Sequence, residues 1–250
     1  MALVYHGTPL SPIPALEAVL AQRAACIPFA RPDDARRVET LCDDIMYDCS
    51  AYTFWKAARK AKREWEELER DWAPYYHFLE PRLFVGRRWA VIPDRIAAPT
   101  QLNDALLVEW PFGKERGAPV WHMNEPLERL SRLIDAGYAR ICFGWVGQFD
   151  PAIGDVIPQE RAVDCDAYHR RMEEVDRHLK GQWPCTHQFR GIAVAGRYPG
   201  KISSADAVTL ALNGHRHDWL DDQHDFTSPY MPGPWVGRKL YRDRLERLAA

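Results

Sequence analysis

The chain has 250 residues, of which 46% are hydrophobic, and this is enough to bury one large core in a single domain. Its 33 basic and 35 acidic side chains give a net charge of -2. This balance excludes nucleic-acid binding through the overall field, so any such contact must come from a local basic face.

Eight short apolar or β-branched runs alternate with longer segments of helical periodicity. The runs cover residues 3–6, 25–29, 44–48, 89–93, 119–123, 140–143, 189–194 and, as the weakest, 201–203. Such alternation is typical of βα units around a parallel sheet. It predicts an α/β fold, a single (β/α)8 TIM-type barrel over residues 1–250 that is least regular at its last strand.

The intervening segments are long enough for crossover helices. They cover residues 13–23, 32–41, 51–71, 101–110, 127–136 and 165–180. Charges at i,i+4 spacing within residues 56–70 favour a solvated helix face over a nucleic-acid patch. Residues 147–164 are predicted to form an irregular loop over one end of the barrel. Residues 214–250 form a C-terminal extension whose basic amphipathic end either caps the barrel or contacts phosphate.

The cysteine pattern indicates the redox compartment. The six cysteines form no C-x-x-C pair and no dense framework, which is typical of reduced thiols. The first residues lack a signal-peptide pattern, and no segment approaches the roughly 20 apolar residues that span a bilayer. We therefore expect a cytoplasmic protein without membrane contact, whose oligomeric state the sequence does not specify.

Acidic residues follow several of the predicted strands, where the catalytic groups of such barrels lie. The third run ends in Asp48, the fourth in Asp94, the fifth carries His122 and Glu125, and Asp206 follows the eighth. Capping the next helix is the alternative role for each single acid. Capping explains Asp94 poorly, because the next helical segment begins well after it, whereas Asp206 is a credible cap.

The histidines allow two roles each. His122, within an apolar strand, is either a hydrogen-bonded structural residue or a catalytic one. His215, His217 and His224 lie among aspartates as a candidate metal site, although their irregular spacing favours a solvated loop. Phosphate-loop, dinucleotide-binding, serine-hydrolase and zinc-helix motifs are all missing from the sequence. We predict no metal site and no cofactor.

Five motifs occur in an order that resembles the tRNA-guanine transglycosylase superfamily, including its compact phage and bacterial relatives that act on DNA. They are YHGTPLSP, MYDCSAYTFW, WAVIPD followed by ND, PVWHMNEPLERL and RGIAVAGRYPGKISSAD. The family's Asp-Ser-Gly-Gly-Phe-like segment would fall on residues 48–52, which keep the acid and an aromatic residue but lose both glycines. The family's next acid would fall near Asp94 and its nucleophilic acid near Asp206. The zinc site of the tRNA enzymes has no counterpart, which favours DNA over RNA.

The resemblance implies attack on the N-glycosidic bond of a nucleobase flipped into the barrel mouth. Asp48 and Asp206 would be catalytic, and Asp94, His122 and Glu125 would bind the base. Candidates for stacking on the base, with core packing as the competing role, are Tyr47, Tyr52, Trp55, Trp121 and Trp145. Candidates for DNA contact are Arg190, Arg197 and Lys201.

Four functions remain open on these grounds. The lost glycines favour water as the acceptor, and hence a DNA glycosylase that excises a modified base. The first alternative is exchange of guanine for a 7-deazaguanine. A barrel that binds a ligand or nucleic acid without turnover is the second, and a metal-dependent hydrolase built on His122, Glu125 and the late histidines is the third.

Overall fold

The computed structural model describes residues 2–11, 13–63, 65–147, 149–150, 155–207 and 236–250. The strands of the main sheet are β1 (Leu3–Gly7), β2 (Ala24–Pro28), β3 (Asp44–Asp48), β4 (Arg87–Val91), β5 (Gly117–Ala118), β6 (Val120–His122), β7 (Ile141–Gly144), β10 (Thr186–Gln188) and β11 (Ser204–Ala207). A separate antiparallel pair consists of β8 (Phe149–Asp150) and β9 (Asp155–Val156). The helices are α1 (Ile13–Leu20), α2 (Ala35–Leu41), α3 (Ala51–Ala61), α4 (Trp65–Leu68), α5 (Ala73–Leu79), α6 (Thr100–Glu109), α7 (Leu127–Asp135), α8 (Asp166–Leu179), α9 (Ile192–Ala195) and α10 (Val236–Leu248), with one 3-10 turn at Pro158–Glu160.

The main sheet is parallel throughout and closes into a barrel. Its order is β5-β4-β3-β2-β1-β11-β10-β7-β6, so β5 and β6 lie at its two ends. These two strands are consecutive in the chain and are joined by Pro119, whose missing N–H interrupts the ladder. The Ile92 N–H donates to Ala118 O at 2.9 Å on one side, and the Cys142 N–H donates to Pro119 O at 2.9 Å on the other. Together β5 and β6 therefore occupy one of eight strand positions, which confirms the predicted (β/α)8 architecture.

Aromatic rings fill the interior of the barrel near the start of the strands. Tyr5, Trp89 and His187, from three different strands, pack edge to face with ring centroids 5.2 to 5.6 Å apart. The Trp89 Nε1–H donates to Tyr5 Oη at 2.9 Å, and the Tyr5 hydroxyl donates to Asp44 Oδ1 at 2.8 Å. The barrel is thus a packed core at this end.

The predicted strands agree with the structure up to β7 and are wrong for the last two. The run at 189–194 was expected to be a strand, but β10 ends at Gln188 and Ile192–Ala195 forms α9. A short buried helix and a short buried strand have the same apolar pattern, so periodicity does not separate them. The eighth strand starts at Ser204, after the predicted 201–203, because its residues are small and polar.

The single helix predicted over residues 51–71 is also wrong. Helix α3 ends at Ala61, with Lys62 in the left-handed conformation at φ 57, and a separate helix α5 forms the crossover to β4. The Tyr75 hydroxyl of α5 contacts Tyr47 O at 3.1 Å and Val91 O at 3.0 Å, which fixes α5 against β3 and β4. Helices α3 and α4 are therefore an insertion between β3 and the crossover helix.

Helix α10 belongs to the barrel wall. It packs against α9, α1 and β1, which is the position of the eighth helix. Arg242 Nη1 donates to Val19 O at 2.8 Å, and the Ala2 N–H donates to Ala249 O at 3.0 Å. The basic C-terminal stretch thus contacts protein here. None of the described helices is both long and apolar enough to cross a bilayer.

Candidate active site at the barrel mouth

A cavity of about 780 Å³ opens at the end of the barrel where the strands finish, which we call the mouth. All eight strand positions contribute to its wall, through Thr8, Pro28, Asp48, Asp94, His122, Gly144, Phe189 and Asp206. The volume lies within the range of small-molecule sites, about 300 to 1,000 Å³. Three of the predicted acids, Asp48, Asp94 and Asp206, therefore share one cavity.

Asp48 is the last residue of β3, is partly buried and lines the cavity. Burial is the largest of the causes that together raise the pKa of its carboxyl to about 7; the hydrogen bond from the Ser50 N–H lowers the pKa, and the charges of Asp206 and Asp94 raise it. That N–H lies 3.0 Å from Asp48 Oδ1. Since its pKa is near neutrality, Asp48 can both donate and accept a proton at physiological pH.

Asp94 is held by two side chains on opposite oxygens. His122 Nε2 lies 2.7 Å from Asp94 Oδ2, and the Cys49 thiol donates to Asp94 Oδ1 at 3.6 Å. Asp94 and His122 are both buried, yet both line the cavity. Helix α6 begins only at Thr100, so Asp94 is not its cap. The pair offers an acceptor and a ring nitrogen to the edge of a ligand.

Asp206 lies within β11, so it does not cap a helix, as had been the alternative. The Arg190 backbone N–H donates to Asp206 Oδ1 at 2.8 Å. His187 Nε2 lies 3.4 Å from the same oxygen, and His187 Nδ1 lies 3.0 Å from Ser204 Oγ. Burial lowers the pKa of His187, which the neighbouring Asp206 opposes. A neutral imidazole therefore lies beside Asp206, and its buried Nε2 makes no hydrogen bond to any described residue.

The aromatic candidates divide into three groups. Tyr52 and Trp145 line the cavity. Tyr47 faces the helix layer, where its hydroxyl donates to Glu39 Oε1 at 3.0 Å, and Trp121 is fully buried with Nε1 directed at Pro126 O. Core packing is thus the role of Tyr47 and Trp121. Trp55 lies outside the cavity, next to Tyr52 on α3.

Glu125 does not reach the mouth. Its Oε2 accepts hydrogen bonds from the His122 N–H at 2.9 Å and from Arg129 Nη1 at 2.7 Å. Arg129 also donates to Val120 O and to Asp104, so the network ties α7 to β6. Glu125 therefore holds the backbone of His122 in place and does not face the cavity.

Of the three predicted DNA contacts, only Arg190 lines the cavity. Arg197 pairs with Asp164. Lys201 pairs with Asp176 near the end of α8 and lies just before β11, which places it at the opposite end of the barrel. The predicted contacts thus do not form one face.

Two residues at the mouth have a left-handed backbone conformation without being glycine. Ser50 has φ 65 and Arg190 has φ 53. Such conformations cost of order 1 kcal/mol and are found at ligand-binding and catalytic sites. Each residue also donates its N–H to a catalytic candidate, Ser50 to Asp48 and Arg190 to Asp206. The strained backbone thus fixes the two carboxylates.

Within the described residues, no group of three or more His, Cys, Asp or Glu side chains could hold a metal ion. Glu125, one of the proposed ligands, is bound to Arg129. The histidines at 215, 217 and 224 lie outside the described residues.

Sequence reasoning missed His187, Ser50 and Cys49 as site residues. His187 was overlooked because β10 was predicted three residues too late. Predicting that this buried histidine lies next to the Asp206 carboxylate requires the sheet register, in which His187 pairs with Ser204. Cys49 and Ser50 lay in the motif of residues 48–52, whose departure from glycine was the available signal.

The fold and the mouth together define a (β/α)8 barrel with a carboxylate-lined cavity at the carboxyl ends of its strands, where barrel enzymes hold their catalytic groups. No protein family matches the chain, and neither a curated protein nor a solved structure is detectably similar to it.

Proposed function

We propose that this protein cleaves the N-glycosidic bond of a nucleobase in DNA. The observation that carries the proposal is the convergence of Asp48, Asp94 and Asp206 on one cavity, with the pKa of Asp48 at about 7. Glycosidic bonds are broken by such paired carboxylates, one protonated and one ionised. The order of motifs that resembles the tRNA-guanine transglycosylases supports a base as the leaving group.

Asp48 is the proton donor in this proposal. As the bond between C1′ and the base nitrogen breaks, its electron pair goes to the base and the Asp48 proton joins it. The carboxylate of Asp206 stabilises the positive charge on the sugar or bonds to C1′. Water then adds its oxygen to C1′, displaces the Asp206 carboxylate where it has bonded there, and returns a proton to Asp48, so the products are a free base and an abasic site.

Asp94 and His122 would read the edge of the base, since they face the cavity and hold each other at 2.7 Å. Tyr52 and Phe189, which also line the cavity, offer ring surface to the face of the base. The base must leave the duplex to enter such a cavity.

The direct test is incubation of the full chain with DNAs that carry different natural modifications. Mass spectrometry of the supernatant should find a released base, and alkali should cleave the DNA at the same positions. An Asp206→Asn protein is the control. If no DNA in the set releases a base or becomes alkali-labile, excision is refuted.

Base exchange is the second candidate, and Ser50 favours it. In the resemblance, residue 50 replaces the first glycine of the family segment, which had been the reason to prefer water. Yet Ser50 keeps a glycine-type backbone at φ 65, so the lost glycine does not by itself reshape the pocket. Incubation with a free 7-deazaguanine should then place it in intact DNA, as seen in digested nucleosides.

A further inference from the structure

Helix α3 starts at the wall of the cavity and carries only basic charges. Its residues and the two that follow, 51–63, contain no acid, and their cations are Lys56, Arg59, Lys60, Lys62 and Arg63. Acids begin directly after Arg63 in the sequence, and one of them, Glu66, pairs with Arg63 at 3.2 Å. The cations nearest the mouth are therefore separated along the chain from the acids of α4.

Arginines and aromatic rings alternate from the cavity wall outward along α3. The Arg190 guanidinium lies 4.8 Å from the ring centre of Tyr52, the Tyr52 and Trp55 rings are 5.8 Å apart, and the Arg59 guanidinium lies 5.3 Å from the Trp55 ring. We call Arg190, Tyr52, Trp55 and Arg59 the stacked row. Its first two members line the cavity, so the row begins inside the site.

Core packing does not account for this row. The buried residues of α3 are Ala51 and Ala58, while Tyr52 is 39% exposed and Trp55 is half-buried. The crossover between β3 and β4 is made by α5, so the barrel does not need α3 to complete its helix layer. Large aromatic rings and cations on an insertion at the mouth of a cavity instead indicate a surface that binds a ligand.

We infer that the stacked row, with Lys56 and Arg31 beside it on the cavity wall, binds the single strand of DNA that flanks the base in the cavity. The inference rests on the proposed function, because it places the strand next to the reacting base. Bases stack on aromatic rings and phosphates pair with cations in sequence-independent single-strand sites.

The test is binding of a fluorescent single-stranded oligonucleotide of roughly 12 nucleotides, measured by anisotropy with the full chain. Trp55→Ala should weaken binding about tenfold, and Trp55→Phe should restore most of it because a phenyl ring still stacks. Lys56→Gln should weaken binding severalfold and lower the slope of log affinity against log salt by about 0.7. Circular dichroism melts establish that each variant is folded.

Lys201→Gln is the matched control, since it removes the same charge at the opposite end of the barrel, where Lys201 pairs with Asp176. Its affinity should equal that of the unaltered chain. Equal losses for Lys56→Gln and Lys201→Gln would mean diffuse electrostatic binding and overturn the inference. So would an unaltered affinity in folded Trp55→Ala, or a chain that binds duplex or an acidic peptide but not the single strand.

Binding is scored without chemistry, so the two proposals fail separately. Strand binding that depends on Trp55 and Lys56, with no base released from any DNA, would retain the inference and remove the function. Base release from DNA, with a strand affinity that is unaltered in folded Trp55→Ala and Lys56→Gln, would do the reverse.

Discussion

The two ends of the barrel treat their polar groups in opposite ways. At the start of the strands, the Tyr5 hydroxyl bonds to both Trp89 and Asp44, and Asp44 pairs with Arg87 at 3.3 Å. At the mouth, Asp48 and Asp206 take hydrogen bonds from backbone and keep surface open to the cavity. The Tyr5 hydroxyl and Asp44 are thus satisfied within the protein, whereas the mouth leaves acceptors available, as expected if stability and chemistry are separated along the barrel.

The sharpest test of this contrast is Asp206→Asn. The change keeps the size of the side chain but removes the charge that would stabilise the sugar cation. We expect the rate of base release to fall by at least about 10³-fold without a change in melting temperature. Single-turnover assays with mass spectrometric detection would measure it, and a loss below tenfold would remove Asp206 from the chemistry.

The pH dependence tests Asp48. As the proton donor, with a pKa of about 7, it should make the rate fall about tenfold per pH unit above neutrality. A rate that instead rises through pH 7 would assign Asp48 as a base in the slow step.

The same pKa has a consequence for stability. The folded state holds the Asp48 proton more tightly than the unfolded state, so stability falls as pH rises from about 4 to about 7. Asp48→Asn should therefore stabilise the protein at pH 8, by about 2 kcal/mol because water in the cavity moderates the effect. Below pH 4 the gain should vanish, and urea titrations at both pH values would check the sign.

His187 is expected to act through Asp206, as a positioning residue. His187→Gln should lower kcat by about 10 to 100-fold through misplacement of the carboxylate, with KM little changed. The pH profile should also shift, which a purely structural defect would not produce. Ser204→Ala, which removes the partner of the other ring nitrogen, should have a smaller effect in the same direction.

At the opposite end, Tyr5→Phe should affect only stability. It keeps the ring that packs on Trp89 and His187 but removes the hydroxyl between Trp89 and Asp44. The expected cost is about 2 kcal/mol of unfolding free energy, with kcat unaltered. A large loss of kcat in a folded Tyr5→Phe protein would break the proposed separation of the two ends.

The smallest effect concerns Ser50. Ser50→Gly and Ser50→Ala both lose the hydroxyl that accepts the Ala30 N–H, but only glycine adopts φ 65 without strain. The glycine variant should be more stable than the alanine variant by about 1 kcal/mol. Equal stabilities in thermal melts would mean that the backbone relaxes at this position.

The barrel could be predicted because its first six strand positions carry runs of apolar residues, and the third and fourth of these runs end in an acid. Asp48 and Asp94 followed directly from those ends. The last two strands could not be found, because THQ and SADA contain few apolar residues and their burial depends on neighbouring strands. Predictions that depend on which way a side chain points were the least successful, as Tyr47, Trp121 and Glu125 show.

The charged segment 56–70 illustrates a different limit. Sequence periodicity indicated one solvated helix, and the residues of the segment whose burial the structure describes are indeed largely exposed. Periodicity does not show where a helix lies in the fold. In the structure, α3 begins at the cavity and α5 makes the crossover to β4. The position of the segment at the cavity, and not its charge pattern, is the reason to propose that its charges bind a ligand.

The insertion of α3 and α4 also separates the protein into the barrel and a segment that the barrel does not need for its helix layer. The chain leaves the barrel after β3 and returns at α5, whose Tyr75 is bonded to the ends of β3 and β4. Related chains could lengthen, shorten or replace this segment without altering the strands that carry the three carboxylates. Under the proposed function, preference among nucleic-acid substrates would then evolve on one exchangeable segment, while the proposed bond-breaking groups stay under the separate constraint of the barrel.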